Sequence, residues 1–412
     1  MFLGYRKGIG VEPDVPEAVR WYRSAALKGS TTAQCNLGNC YLSATGVQYD
    51  PVEAIKWYRM AGPGGIKCVQ FALGVMYDSG FTGIGNGNGI GKCISKDTRG
   101  TYSPRGRKGL VPADPAEAVK WYQLAASSGS RDAQFNLAMC YEHGSGVKAD
   151  TAHARHWYHL AAADNDPQAQ LQLALCYTKS DELEDGEAAF QWFKCSADQG
   201  NADAQFQLAV RYDNGAPGTE VADPAEALRY YLMAAKQGHI NAQFNAGSAY
   251  AYGTGVEKDS FASNQWFYRA AQQEDPEAQF ILAYNYEHGI GTSTSTSTNS
   301  GSKGPISIRR AVKWYSRAAD NGYAAAQCNL GNCYLNGQGV VRNVGCAQRL
   351  YRLAAEQGDE QAKSNLDICY QIRSQEDATD ADTGTPQLYY TPPDTPTCMT
   401  ALATTVESPT KF

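Results

Sequence analysis

Five residues near the middle of the chain have side chains that could bind a metal ion. His153, His156 and His159 follow one another at three-residue steps, and Cys140 and His143 lie just before them. Imidazole and thiolate are common Zn²⁺ ligands, so this spacing raises the question of a zinc site. Cys140, however, occupies a position that recurs along the chain, and His143 lies in a recurring turn. We therefore interpret these side chains as core and surface residues and predict no metal site.

The carboxylates offer no obvious acid and base pair. Many belong to an Asp-Pro-x-Glu pattern, which stands at residues 50–53, 114–117 and 223–226. Such a pattern is typical of a helix start, because the Asp side chain can accept a bond from a free backbone N–H. No Ser-His-Asp or Cys-His signature is recognisable, and the Gly-rich run after residue 79 lacks the Gly-Lys-Ser/Thr of a phosphate loop. The sequence therefore predicts no catalytic residue and no cofactor.

Twelve cysteines raise the question of disulfides. Small apolar core residues explain most of them, because two share one recurring position, Cys35 and Cys328, and five others each precede a recurring tyrosine: Cys40, Cys140, Cys176, Cys333 and Cys369. Cys35 and Cys40 lie five residues apart, which is about 140° around a helix and too far for a bridge. We favour reduced core thiols, and a secreted protein with disulfides is the alternative.

Two rows of amide side chains recur at fixed positions. Gln134 is followed two residues later by Asn136, and most other copies have an amide at one or both positions. Amides donate and accept hydrogen bonds, so such rows could hold the backbone of an extended peptide, or they could join neighbouring helices. The candidate partner-binding residues from these rows are Asn36, Gln134, Asn136, Gln172, Gln207, Asn245 and Asn329.

All of these residues are placed by one repeating unit. A Trp-Tyr pair at residues 121–122 returns at residues 157–158, and most intervals between successive copies are 35 to 38 residues. The marker position is held by Trp21, Trp57, Trp121, Trp157, Trp192, Tyr230, Trp266, Trp314 and Leu350. Nine copies at such an interval are typical of a solenoid, in which each unit covers the apolar face of the next.

Each unit reads as two helices joined by a glycine turn. Ala133, Leu137 and Tyr141 are four residues apart and so lie on one face of the first helix. The second helix contains the Trp-Tyr pair and, in most copies, ends at a glycine eight residues after the marker, where a left-handed residue is expected. Asn165 and Glu274 replace that glycine in two copies. The sequence therefore predicts an all-α chain of helical hairpins.

These landmarks resemble a known family. The combination of residues 133–138 (AQFNLA), Tyr141, residues 144–147 (GSGV), Asp150 and residues 157–158 (WY) is similar to the Sel-one-like repeat (SLR), a relative of the tetratricopeptide repeat. The resemblance extends over roughly residues 1–372. It implies a right-handed α-solenoid of about nine to ten helix-turn-helix repeats that serves as an adaptor or scaffold. By analogy with tetratricopeptide arrays, the amide rows would line a concave surface formed by first helices.

Composition shifts predict where the repeats stop. We expect the solenoid to occupy residues 1–373, with irregular insertions at 79–113 and 288–305. The first insertion is rich in Gly and basic residues, and the second contains a run of alternating Thr and Ser. Both lie between a first and a second helix. Residues 374–412 are rich in Thr, Pro and Asp, which predicts a disordered tail with hydroxyl-proline dipeptides open to phosphorylation.

Charge and hydropathy narrow the range of partners. The net charge of −6 gives no general attraction for nucleic acid, and no apolar run is long enough to span a bilayer. The first residues lack the apolar run of a secretory signal. We therefore expect a cytoplasmic protein whose partners are proteins or peptides, with neither nucleic acid binding nor membrane insertion.

The predicted function is a non-enzymatic adaptor that assembles protein complexes through the solenoid surface. Two alternatives follow from the family resemblance: a regulatory subunit of a membrane enzyme such as chitin synthase, and an adaptor of endoplasmic-reticulum quality control. A secreted repeat enzyme is a further alternative, which the lack of a nucleophile constellation disfavours.

Overall fold

The computed structural model describes residues 14–64, 66–80, 112–179, 183–215, 221–292 and 305–379. Within these ranges the regular elements are α-helices and one short 3₁₀ helix at Gly62–Gly64, with no strand. This confirms the predicted all-α fold class. The central parts of both predicted insertions, and the tail after residue 379, lie outside the described residues.

The chain divides into two compact units, residues 1–195 and 196–412. The first unit contains α1 (Val15–Leu27), α2 (Thr31–Ser43), α3 (Pro51–Ala61), α4 (Lys67–Ser79), α5 (Pro115–Ser127), α6 (Arg131–His143), α7 (Thr151–Ala163), α8 (Pro167–Tyr177) and most of α9 (Leu183–Asp198). The second contains α10 (Ala202–Asn214), α11 (Pro224–Lys236), α12 (Ile240–Tyr252), α13 (Ser260–Gln272), α14 (Pro276–His288), α15 (Ile308–Asp320), α16 (Ala324–Asn336), α17 (Val344–Glu356) and α18 (Glu360–Thr379).

The helix starts follow the predicted capping pattern. In α3, α5 and α11 the side chain of the preceding Asp accepts a hydrogen bond from the backbone N–H of the Glu three residues later, at 2.9 to 3.0 Å. Proline at the first position needs no partner for a missing N–H. The acidic side chains also face the positive end of the helix dipole, which favours initiation at these positions.

Apart from α3, whose predicted glycine Gly65 lies outside the described residues, the second helices end in the predicted left-handed conformation. Gly129 and Gly358 have φ of 76° and 95°, and the two replacements, Asn165 and Glu274, are also left-handed at 61° and 64°. The turn inside the hairpin needs glycine for a different reason. A Cβ at Gly146 would lie 2.1 Å from the carbonyl oxygen of Pro115, so only glycine allows α5 and this turn to approach so closely.

In every repeat the residue after the marker position is a buried aromatic side chain, which packs among alanine, leucine and other aromatic side chains. In the first unit Tyr58, Tyr122 and Tyr158 are at most 1% exposed, and Ala138 packs in the same cluster as Tyr158. In the second unit Tyr315 and Tyr351 are fully buried. Each hairpin leaves an apolar face that the next hairpin covers, so the repetition itself builds an α-solenoid.

The last helix ends at a different residue from the predicted end of the solenoid. Helix α18 continues to Thr379, past the predicted solenoid end at residue 373. Residues 374–379 contain Gln, Glu and Ala, which have high helix propensity and extend the last helix by more than a turn. Across the described part of the chain, no helix combines the length and apolarity that a membrane crossing requires.

Candidate functional site

The polar groups that recur in each repeat form a network around a buried tyrosine hydroxyl. In the first unit Tyr158 donates to Glu142 at 2.7 Å, and in the second Tyr315 donates to Glu287 at 2.7 Å. Each bond joins the second helix of a hairpin to the first helix of the same hairpin. Because the tyrosine ring is buried, its hydroxyl needs such an acceptor inside the protein.

The acceptor comes from one of two positions on the first helix. One position holds Asp78, Glu142, Asp213 and Glu287, eight residues after the recurring Gln. Where leucine occupies that position, an Asn three residues earlier accepts instead: Tyr58 donates to Asn39 at 2.6 Å and Tyr351 to Asn332 at 2.7 Å. The two arrangements satisfy the same hydroxyl.

Two repeats lack the hydroxyl and also lack the carboxylate. Phe267 stands at the tyrosine position of one repeat, and the acid position there is Ala251. Phe193 stands at the tyrosine position of another, and the acid position is Thr178. In the repeats whose two helices are both described, the tyrosine and its acceptor thus vary together. That correlation was readable in the sequence, and our sequence analysis missed it.

The second amide row contacts the same hydroxyls from the following repeat. Asn329 donates to the hydroxyl of Tyr315 at 3.2 Å, and Asn136 bonds to the hydroxyl of Tyr122. Asn245 is 3% exposed and lies close to the hydroxyl of Tyr231, but its side-chain nitrogen and oxygen form no hydrogen bond with the described residues. At Asn136 and Asn329 the amides join neighbouring repeats, as in the second interpretation given for the rows.

The glutamine row closes the ends of the second helices. Gln134 donates to the carbonyl oxygen of Ala126 at 3.3 Å, and Gln243 donates to that of Ala235 at 3.1 Å. The same bond recurs at 2.9 to 3.3 Å for Gln34, Gln70, Gln205, Gln279 and Gln327. It satisfies a carbonyl that the helix leaves without an internal partner.

In the second unit each of these glutamines also accepts a hydrogen bond from an amide at the end of the next second helix. The side-chain oxygen of Gln243 accepts from Gln273 at 2.9 Å, and that of Gln327 accepts from Gln357 at 2.9 Å. Gln205 and Gln279 accept from Gln237 and Asn321 in the same way. Each donor precedes the left-handed residue of the next second helix, so a ladder of amides runs from repeat to repeat.

The remaining candidate residues are half-buried. Asn36 lies on α2, Gln172 on α8 and Gln207 on α10. The backbone carbonyl and side-chain oxygen of Gln207 accept from Arg211 at 3.1 and 3.4 Å. The structure therefore brings Gln134, Asn136, Asn245 and Asn329 into contacts between repeats. Partner binding by the seven residues stays a prediction.

The carboxylates that accept hydrogen bonds from the buried tyrosines differ in electrostatic environment. Burial alone would raise the pKa of Glu142, but hydrogen bonds from Lys179, at 2.6 Å, and from Tyr158 lower it overall. Among the described residues no cation bonds to Asp78 or Asp213, and burial raises the pKa of each. One repeat position thus holds acids whose pKa values shift in opposite directions.

The histidines of α7 are exposed and engage aromatic neighbours. His153 bonds to Asp150 at 2.9 Å and stacks on Tyr141 at a centroid distance of 5.1 Å. His156 and His159 contact Trp157 and Trp192 edge to face. Across the described ranges no group of three or more His, Cys, Asp or Glu side chains is placed to hold a metal ion.

The recurring cysteines lie in the core, as predicted from their positions. Cys40, Cys140, Cys176, Cys333 and Cys369 are each at most 8% exposed. Burial raises the pKa of Cys140 to about 12, so this thiol is a poor nucleophile at neutral pH. The ten cysteines in the described residues are free thiols. Their redox state in the cell stays a prediction.

Comparison with known protein families identifies the repeat. The Sel1 repeat model matches ten segments, at residues 1–30, 31–62, 105–130, 131–166, 167–201, 202–239, 240–275, 276–297, 300–323 and 324–359. The chain belongs to the Sel1 repeat family. The matches at 276–297 and 300–323 correspond to α14 and α15, the two halves of one interrupted repeat, which reconciles ten matched segments with nine marker positions.

Two solved structures share the fold of these Sel1 repeats. One is a protective antigen of uropathogenic Escherichia coli strains that displays an SLR fold, with a TM-score of 0.66 at 26% identity, covering 95% of this chain and 80% of that one. The other is a Sel1 repeat protein from Oxalobacter formigenes, with a TM-score of 0.63 at 28% identity, covering 85% of this chain and 89% of that one.

Curated relatives match over shorter stretches. A chitin synthase regulator, SKT5 of Malassezia restricta, is 30% identical over 182 residues, which is 43% of this chain and 12% of the regulator. The DAP3-binding cell death enhancer 1 of Rattus norvegicus is 35% identical over 69 residues, 17% of this chain and 14% of that protein. The chain thus spans about an eighth of the length of these relatives.

Proposed function

We propose that this Sel1 repeat protein is a non-enzymatic scaffold that assembles protein complexes through the surface of its helical hairpins. Sel1 repeat proteins generally mediate protein–protein interaction, and the family model matches most of this chain. The polar side chains that recur in the repeats join helices to one another, as the tyrosine and glutamine hydrogen bonds show. The solvent-exposed faces of the helices are therefore the surface that remains for partner binding.

One observation in the first unit carries this proposal. The residue three positions after the tryptophan marker is an exposed apolar side chain in three successive second helices: Met60 on α3, Leu124 on α5 and Leu160 on α7, with exposed fractions of 51%, 48% and 38%. A row of apolar side chains open to water is typical of a protein-interaction surface. We call these three residues the apolar row.

The apolar row gives a direct test. Replacing Met60, Leu124 and Leu160 together with Ser is expected to reduce the recovery of crosslinked partner proteins, with a modest fall in melting temperature because Ser has a lower helix propensity than Met or Leu. Val341, which is 87% exposed and lies on a turn, provides the control as Val341→Ser. Unchanged recovery after the triple substitution would argue against this surface, and failure of the wild type to retain any partner would argue against the scaffold function.

A second candidate function is regulation of a chitin synthase. Its support is the similarity to the Malassezia regulator over 182 residues. Adding the purified chain to a chitin synthase in proteoliposomes is expected to change the rate of polymer synthesis if this assignment is correct. A rate that matches the one obtained with an unrelated helical repeat protein would count against it. Cytoplasmic localisation and the lack of nucleic acid partners also stay predictions.

A further inference from the structure

A group of cations without acidic partners lies on the second helices of the second unit. Arg269 is on α13, Arg310, Lys313 and Arg317 are on α15, and Arg349 is on α17; all five are exposed. Within the described residues no Asp or Glu oxygen lies within the 4.0 Å that defines an ion pair with any of them. We call these five residues the basic face.

The repeat pattern shows that this lack of acids is local. In α1, α3, α5 and α11 a Glu three residues before the cation forms an ion pair with it: Arg20 with Glu17, Lys56 with Glu53, Lys120 with Glu117 and Arg229 with Glu226, at 2.7 to 3.1 Å. On α15 the position of that Glu is Arg310, and on α17 it is Cys346. The positive charge that other repeats neutralise is therefore left uncompensated on α15 and α17.

Aromatic rings contact three of these guanidinium groups, and Arg310 lies 5.6 Å from the ring centroid of Tyr286. The guanidinium carbon of Arg269 lies 4.3 Å from the ring centroid of Trp266, and that of Arg317 lies 4.9 Å from that of Trp314. Stacking restricts the side chain while its N–H groups stay free for a planar anion. The contact of Tyr268 with Trp314, at 5.7 Å, brings α13 and α15 together at this surface.

The cations also lie in register along and across the helices. Arg310, Lys313 and Arg317 are three and four residues apart, so they form one stripe on α15. Lys313 and Arg349 occupy the same repeat position on neighbouring second helices, as do Arg269 and Arg317. Leu350 of α17 packs against the same core cluster as Trp314 of α15. The cations of α13 and α15 therefore share one surface, and Arg349 occupies the matching position of the next second helix.

We infer that the basic face binds an acidic, carboxylate-rich segment of a partner protein. The inference rests on the proposed scaffold function and specifies one class of partner for it. Arginine clusters recognise acidic motifs through charge-assisted and bidentate hydrogen bonds. The stacked guanidinium groups of Arg269 and Arg317 are ordered before binding, which lowers the entropy cost of such contacts.

The surroundings of the patch favour a short acidic peptide over nucleic acid. Acidic residues edge the face: Glu274 lies near Arg317, and Asp320 and Glu356 lie at or near the ends of α15 and α17. A phosphate backbone that continued beyond the patch would meet these carboxylates and a chain whose net charge is −6. A short peptide with a few carboxylates can bind entirely within the basic face and need not reach these acidic residues.

The test uses the full chain and a fluorescein-labelled peptide in which Glu alternates with Ser, followed by fluorescence anisotropy. The double variant Lys313→Gln with Arg317→Gln is expected to weaken binding by about tenfold, because two charge-assisted contacts are lost. The control, Lys56→Gln with Lys120→Gln, removes the same amount of charge from two second helices of the first unit, α3 and α5. There each cation is already paired with a Glu. It is expected to bind as the wild type does.

Three results would overturn the inference. The first is equal binding by the double variant and its control. The second is equal binding of a peptide that has Gln in place of Glu. The third is tighter binding of a single-stranded RNA than of the acidic peptide, with loss of RNA binding in the double variant, which would assign the face to nucleic acid. Circular dichroism of both variants shows whether they are folded.

Failure here can be told apart from failure of the scaffold function. If the wild type retains crosslinked partners and the double variant retains the same ones, the scaffold function stands and the basic face is not its acidic-peptide site. If the wild type retains no partner while the labelled peptide still binds and the double variant loses it, the inference about the face stands and the scaffold function does not.

Discussion

The acids that accept from the buried tyrosine hydroxyls show how one repeat position can have opposite effects on stability. Lys179 and Tyr158 bond to Glu142 and lower its pKa, whereas burial raises the pKa of Asp213, to which no described cation bonds. A carboxyl group whose pKa is lower in the folded state stabilises the folded state when ionised. One whose pKa is higher does the reverse.

This difference predicts opposite pH dependence for two matched variants. Glu142→Gln is expected to be less stable than the wild type at neutral pH, and the deficit should disappear as pH falls below the ordinary Glu pKa of 4.5. Asp213→Asn should be relatively most stable at neutral pH, where the wild type carries a partly buried charge. Its relative advantage should shrink as the pH falls through the raised pKa of Asp213.

The measurement is urea denaturation of each variant at a series of pH values. Parallel curves for the two variants would contradict the assignment of Lys179 as the cause. Adding Lys179→Met to the wild type provides the control, because it is expected to raise the pKa of Glu142 and to remove much of the acid-sensitive contribution.

Backbone strain at Ala44 yields a second prediction at this scale. Ala44 ends α2 with φ of 51°, a conformation that other helices of this chain give to glycine. Ala44→Gly is expected to raise the free energy of unfolding by about 0.5–1 kcal/mol, because the strain of a left-handed Cβ exceeds the entropy that glycine adds to the unfolded chain. Thermal denaturation would show it. Ala116→Gly, at an exposed helical position of α5, should lower the free energy of unfolding by a similar amount.

Between elements, the tyrosine and its acceptor act as a pair that joins two helices. Tyr315 on α15 donates to Glu287 on α14 and also receives a bond from Asn329 on α16. Phe267 and Ala251 show an apolar alternative within the same chain. Either pairing avoids a buried polar group without a partner, which is the costly state.

A double-mutant cycle tests this coupling. Tyr315→Phe and Glu287→Ala are each expected to lower the free energy of unfolding by about 1–2 kcal/mol, since each leaves a polar partner unsatisfied. The double variant should lose at least about 0.5 kcal/mol less than the sum of the two. Simple additivity in urea denaturation would show that the two side chains contribute independently. Phe267 and Ala251 have no polar side-chain group at the tyrosine and acid positions. Their repeat therefore shows how the two helices pack without this hydrogen bond.

At the scale of the whole molecule, stability is expected to be distributed along the array. Contacts of each hairpin are mainly with its neighbours in sequence, and such arrays behave approximately as a sum of repeats and interfaces. The amide ladder of the second unit belongs to these interfaces. Gln243, 5% exposed, donates to Ala235 and accepts from Gln273, and so joins three successive helices.

We therefore expect Gln243→Met to lower stability locally, in the helices that Gln243 joins. The substitution leaves a buried carbonyl and an amide N–H without partners, which costs about 2 kcal/mol. Hydrogen exchange followed by mass spectrometry should show faster exchange in α11, α12 and α13, with much smaller changes in α1 to α4. Gln272→Met, at an exposed position of α13, is the control and should change little. A uniform rise in exchange over the whole chain would indicate a single cooperative unit instead.

How far the sequence could predict this structure depends on the range of each interaction. The Asp caps, the helix periodicity and the left-handed helix ends were predicted because they involve residues three or four positions apart. The left-handed φ at Asn165 and Glu274 shows that the position, and not the glycine alone, requires that conformation. For the amide rows the sequence left two interpretations open, since an amide that binds a peptide and one that caps a helix have the same side chain.

The sequence by itself determined the all-α fold and the repeat, because a two-helix unit copied along a chain can bury its apolar faces only against its own copies. Only the tertiary structure decided which polar atoms those copies use on one another. Tyr315 meets Glu287 across 28 positions and Gln243 meets Gln273 across 30, and such contacts form only when helices pack. The same packing leaves Arg269, Lys313 and Arg317 exposed to solvent on the second helices of one unit, where no described acid forms an ion pair with them.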